Sequence, residues 1–210
     1  MDHDQRMAAA ELDHDRAAKI VRNIAQLGDD ATLAIGPLSE RMMAVAVTAM
    51  SKIATKPWEV DGDDAGARIV CPEWKMARGV GTGDAWLELT EVGSGDEEGF
   101  SWISVAVGAG PTRLALELVF RRGLQQYAEA AIFDDKVVGP LLKLGMARDD
   151  TKTRLFFPID IQAELLAQGF ATNDLDKALA PVGLITKKAL GAKLDLDALI
   201  DKVREAAARK

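Results

Sequence analysis

Residues 85–121, AWLELTEVGSGDEEGFSWISVAVGAGPTRLALELVFR, decide how this chain reads. From Ala85 to Val92 apolar and polar side chains alternate, the period of two of a half-buried strand. Phe100–Val107 and Thr112–Arg121 repeat the pattern. Glycine-rich turns at Gly93-Ser94-Gly95 and Gly108-Ala109-Gly110-Pro111 separate the three segments, which predicts an antiparallel meander. A hairpin closing at Gly108–Pro111 pairs Val107 with Thr112, Val105 with Leu114 and Ile103 with Leu116. Those residues, with Leu118, Phe120, Leu87 and Leu89, then form one apolar face that helices must cover. The opposite face carries Trp86, Glu88, Phe100, Trp102, Arg113 and Glu117, with Trp102 across from Glu117. Two tryptophans and a phenylalanine among charges are an unusual face to leave to water.

Outward from the meander, the N-terminal side is helical. Residues 1–11 read as a loosely ordered leader. A helix is expected from about Ala8 to Leu27, with Gly28 as its stop. A second starts at Pro37, a good first-turn residue, and runs over Met42, Val45, Ala46, Ala49, Met50 and Ile53. Trp58–Val60 and Arg68–Cys71 read as short strands split by the turn Asp61-Gly62-Asp63-Asp64. Beyond the meander, helical patterning resumes at Arg122. Asp134 caps a further helix to Leu144, which Gly139-Pro140 kinks or splits. Arg154–Ile161 reads as a strand, placed at an edge by Pro158. The remaining residues, 162–210, read as helices: Gln162–Gln168, Asn173–Ala180, Pro181–Leu190, and Asp195–Arg209 with Asp195 as cap. The expected fold is therefore α+β: an antiparallel sheet of about five strands with the meander 85–121 at its centre and helices on one face. Residues 1–161 form the α+β domain, and 162–210 a C-terminal helical extension packed on it.

Composition narrows the function classes. The chain has 210 residues and a net charge of −7, which disfavours nucleic acid as partner because the phosphate backbone selects clustered Lys and Arg. No basic residue lies between Arg78 and Arg113, while six acids do, among them the run Asp96-Glu97-Glu98. That run reads as a solvated hairpin tip; a sharper reading makes it a surface for a basic partner. No stretch reaches the ~18 consecutive apolar residues of a membrane span. The acidic start and the single cysteine, Cys71, fit a cytoplasmic protein.

The chemistry-bearing residues are sparse. Histidine occurs only at His3 and His14, so Ser-His-Asp and Cys-His catalysis have no base in the folded body. Asp2-His3-Asp4 recurs as Asp13-His14-Asp15, a weak candidate for a divalent ion beside its plain reading as an acidic leader. Gly79–Gly83 lacks the lysine and helix of a phosphate loop. Asp64 followed by Glu73-Trp74-Lys75 is the one positive signal. An Asp and a Glu-x-Lys on adjacent strands can hold Mg²⁺ and set a lysine beside an attacking water. With the order helix, antiparallel strands, helix, strand, this resembles the core of restriction-endonuclease-like proteins. The resemblance implies Asp64, Glu73 and Lys75 as catalytic residues with Mg²⁺ as cofactor. The pattern departs from that family in having Pro72 before the motif and no Glu-x-Lys on the later strand.

Three readings follow. The first is a non-catalytic binding or regulatory module without cofactor, engaging a protein partner or a small apolar ligand through Trp86, Glu88, Phe100, Trp102, Arg113 and Glu117. The second is the Mg²⁺-dependent nuclease-like enzyme. The third is a homo-oligomer that buries the mixed face against a second copy.

Overall fold

A computed structural model describes residues 24–63, 66–74, 83–93 and 101–209. Helix α1 (Ile24–Leu33) passes through a π-helical segment, Ala34–Leu38, into α2 (Ser39–Ile53) without a break. Gly28 is not a stop: a glycine ends a helix by taking a left-handed conformation, and Gly28 is not among the positive-φ glycines. Pro37 does not begin a helix either. Proline has no N–H and its ring clashes with the carbonyl four residues back; a wider turn accommodates it inside a continuing helix. The Ser39 hydroxyl donates to the Ala34 carbonyl at 2.6 Å in that irregular turn. The stretch Gln26–Ile53 is long and apolar enough by composition to cross a bilayer. Its second half, however, buries Met42, Met43, Ala46 and Met50 in the protein core, while Leu33 and Ile35 in the first half are exposed.

The described residues form a six-stranded antiparallel sheet in the order β1-β2-β3-β4-β6-β5. The strands are β1 (Glu59–Gly62), β2 (Ala67–Val70), β3 (Ala85–Gly93), β4 (Thr112–Phe120), β5 (Ala147–Arg148) and β6 (Leu155–Pro158). The fold is α+β, as the alternation predicts, but the meander lacks its middle strand. Trp102–Ala106 is instead a short helix, α3. The Ser101 hydroxyl accepts from the Ser104 amide at 3.2 Å, and the Ser104 hydroxyl from the Ser101 amide at 3.0 Å, a reciprocal cap that starts the turn. Gly108, at φ +63°, follows its end. With the middle strand gone, β3 pairs directly with β4, Ala85 with Phe120 through Gly93 with Thr112. Glu117 therefore stands opposite Glu88, not Trp102.

The faces survive the change of register, because the true pairing also matches odd positions of β3 with even positions of β4. Leu87, Leu89, Leu114, Leu116 and Leu118 all point into one core. Leu155 and Phe157 of β6 join them. Strand β6 is not at the edge, since β5 lies beyond it. Pro158 is tolerated because it is the last residue of β6, past the reach of β5, and the ladder resumes with Ile159 N–H on the Leu114 carbonyl.

The remaining helices are α4 (Gln125–Phe133), α5 (Asp135–Lys143), α6 (Ala163–Thr172), α7 (Ala180–Gly191) and α8 (Lys193–Ala208). Asp134 caps α5 by accepting from the Lys136 amide at 2.9 Å, and α5 continues through Pro140 unsplit. Asn173, left-handed at φ 61°, ends α6, and residues 174–179 turn rather than form a separate helix. Asp195 sits in the first turn of α8, not at its cap. Residues of α2, α4, α5, α7 and α8 enter the same core cluster as the sheet, so these helices share the apolar face.

A candidate binding face

The second face of the sheet is built by the other parity. Arg68 on β2, Trp86, Glu88, Thr90 and Val92 on β3, Arg113, Ala115 and Glu117 on β4, and Phe156 on β6 alternate with core residues. Val92, Ala115 and Phe156, with Ala147 of β5, form a second apolar cluster that contains no helical residue. Among the described residues no helical side chain joins this cluster, although Val92, Ala115 and Phe156 are themselves buried.

Charge on the face is paired with care. Glu88 and Glu117 are directly opposed in the ladder, an arrangement that costs stability if unrelieved. Each is relieved separately. The Trp86 indole N–H donates to Glu88 at 2.8 Å, and the Arg68 guanidinium lies 6.0 Å from the Trp86 ring centroid. Glu117, 8% exposed, receives Arg154 Nε at 2.8 Å and Nη2 at 2.5 Å, a two-pronged pair. The carboxylate holds the Arg154 guanidinium further above its ordinary range, and Arg154 also donates to the Glu91 carbonyl at 3.1 Å.

At the β4–β6–β5 side the apolar cluster opens into a depression of about 300 Å³ lined by Val92, Pro111, Ala147, Phe156 and Pro158 and by the charged Arg113, Arg148, Asp149 and Asp150. Asp149 is turned into its own loop. It accepts from the amides of Thr153 and Arg154, each at 2.8 Å, and from the Thr151 hydroxyl. Burial alone would raise its carboxyl, but these donors hold it below the ordinary value.

The sequence-predicted residues divide accordingly. Trp86, Glu88, Arg113 and Glu117 share the second face. Trp102 does not: it is carried by α3 and packs, half-buried, against the main core. Phe100 lies outside the described residues, as do Asp64, Lys75, His3 and His14. Glu73 is described, in a single helical turn after β2, and pairs with Lys193 of α8 at 2.6 Å. Asp63 N–H meets the Gly66 carbonyl at the end of β2 far from Glu73. Among the described residues no group of three or more His, Cys, Asp or Glu is placed to hold a metal ion.

Sequence reasoning missed Phe156, Arg154 and Val92 as members of the face. Leu155-Phe156-Phe157 is apolar at every position, so its parity does not advertise a second apolar side. Trp58 and Trp74, unassigned from sequence, stack edge to face at 5.1 Å in the core. Around Trp74 a charge network ties α8 to the start of β3. Asp84, 1% exposed, receives Arg121 Nε at 2.7 Å and Arg204 Nε at 2.9 Å. Trp74 Nε1 donates to Asp197 at 2.7 Å, and Lys193 bridges Asp197 and Glu73. Those two carboxylates push the Lys193 ammonium well above the ordinary lysine range.

No protein-family model, curated protein or solved structure matches this chain. Its functional reading rests on its own residues.

Proposed function

We propose that the chain is a non-catalytic binding or regulatory module that engages a protein partner or a small apolar ligand through the second face of its sheet. The observation that supports this is the composition of that face. An apolar cluster of Val92, Ala115 and Phe156 lies among Arg68, Trp86, Glu88, Arg113 and the Arg154–Glu117 pair, with no helix of the described residues over it. A mixture of aromatic, aliphatic and fixed charge suits recognition, where apolar area supplies affinity and paired charge supplies orientation. Glu73, the carboxylate of the nuclease-like motif, is engaged by Lys193 instead, which favours a structural role for it. A cytoplasmic location fits a chain with one cysteine, Cys71, which is buried.

The test is a fragment screen on the labelled full chain observed by NMR. The expected result is that hits cluster on Val92, Ala115, Ala147 and the Trp86 indole. Hits confined to other surfaces, or hydrolase activity abolished by a single carboxylate substitution, contradict the proposal.

A further inference from the structure

Resting on that reading of the face, we propose that the depression beside Arg113 is a site for a small amphiphilic monocarboxylate: an apolar body ending in one carboxylate group. The volume, about 300 Å³, is at the lower end of the ~300–1,000 Å³ range of small-ligand clefts. Val92, Pro111, Ala147, Phe156 and Pro158 supply the apolar half of its lining, and the charged residues supply the rest.

The chemistry of the polar end follows from the arginines. Four guanidinium groups stand on or beside this face, and three are engaged. Arg154 is held by Glu117. Arg148 donates to the Ile132 carbonyl at 3.1 Å and to Asp135 at 2.5 Å. Arg68 lies over Trp86. Neither Arg68 nor Arg113 makes a side-chain ion pair or hydrogen bond among the described residues, but Arg68 has the Trp86 ring beside it, whereas Arg113 is exposed. It stands at the start of β4, paired in register with Val92 of the apolar cluster, so a guanidinium that makes no ion pair adjoins apolar side chains. A guanidinium in that setting takes a planar carboxylate through two parallel N–H donors.

The acids at the border set the charge limit. Asp149 directs its carboxylate into its own loop and is no competitor for Arg113. Asp150 is exposed there and repels a second negative charge. With one unengaged guanidinium, and with the Asp150 carboxylate in the same lining, a single carboxylate is favoured over a phosphate or a dicarboxylate.

The experiment titrates the isotopically labelled full chain with sodium octanoate, octanol and octylamine in turn, followed by NMR. The expected result is saturable octanoate shifts at the Val92 and Ala147 methyls and at Arg113 Nε. Octanol binds the same place about tenfold more weakly, the value of one charge-assisted contact, and octylamine weaker still. Arg113→Gln, which keeps the native spectrum, reduces octanoate to the level of octanol. Equal binding of octanoate and octanol, or octanoate affinity unchanged in Arg113→Gln, overturns the carboxylate assignment while leaving the binding face intact. Absence of shifts at this face from all three probes, and from the fragment screen, overturns both.

Discussion

Asp84 joins the C-terminal helix to the sheet. It is almost fully buried and its two oxygens are divided between Arg121 of the sheet side and Arg204 of α8. Removing one partner of a buried ion pair leaves the others uncompensated. Because both arginines are partly exposed, water takes up part of that loss, and Asp84→Ala is expected to cost about 3 kcal/mol, the low end of such deletions. Urea denaturation checks it, and a loss below about 1 kcal/mol would contradict the clamp. Asp149 offers a test by pH. Its carboxyl is held below the ordinary value in the folded state, chiefly against burial and by the Thr151 hydroxyl and the Arg154 and Thr153 amides. A depressed folded-state value means that the contribution is complete above the ordinary carboxyl range near pH ~4 and is lost as pH falls below it. Amide exchange at Thr153 and Arg154 should therefore gain protection factors insensitive to pH above that range, and lose them on further acidification. Asp149→Asn should show the weakened protection at every pH. Neither residue was singled out from sequence, because each is defined by partners 37 or more positions away or by a loop conformation that composition does not encode.

At the scale of elements, α3 shows why part of the fold was legible and part was not. Leu87, Leu89, Leu114, Leu116 and Leu118 recur at every second position, and period two assigns their face without knowledge of register. In Ser101–Val107 the same residues fit both periods: Ile103, Val105 and Val107 alternate, while Trp102, Val105 and Ala106 are also one helical face. The deciding signal was Ser101 and Ser104 at capping-box spacing, with serine in place of the usual Glu or Gln. Ser101→Ala removes that cap and is expected to cost about 1 kcal/mol, read from denaturation, with little change in the β3–β4 ladder. The long N-terminal helix teaches the complementary point. Gly28 and Pro37 carry boundary signals, yet Gly28 does not take the left-handed conformation by which a glycine ends a helix, and Pro37 is absorbed by a wider turn. On the second face, Trp86, Glu88, Arg113 and Glu117 were legible from parity. Phe156 was not, because it sits in an all-apolar run where both faces of a strand look alike.

At the scale of the whole molecule the sheet is asymmetric. Helices α2 to α8 share one core with its first face, while the second keeps an apolar cluster of its own among charged side chains. The proposed function depends on that second face being reachable in the full chain. A soluble nitroxide added to the methyl-labelled and tryptophan-labelled protein reads this directly from paramagnetic broadening. The account predicts strong broadening of the Trp86 indole N–H and of the Thr90 and Val119 methyls, with Leu87 and Leu116 spared. Protection of Trp86, Thr90 and Val119 equal to that of Leu87 and Leu116 would contradict it.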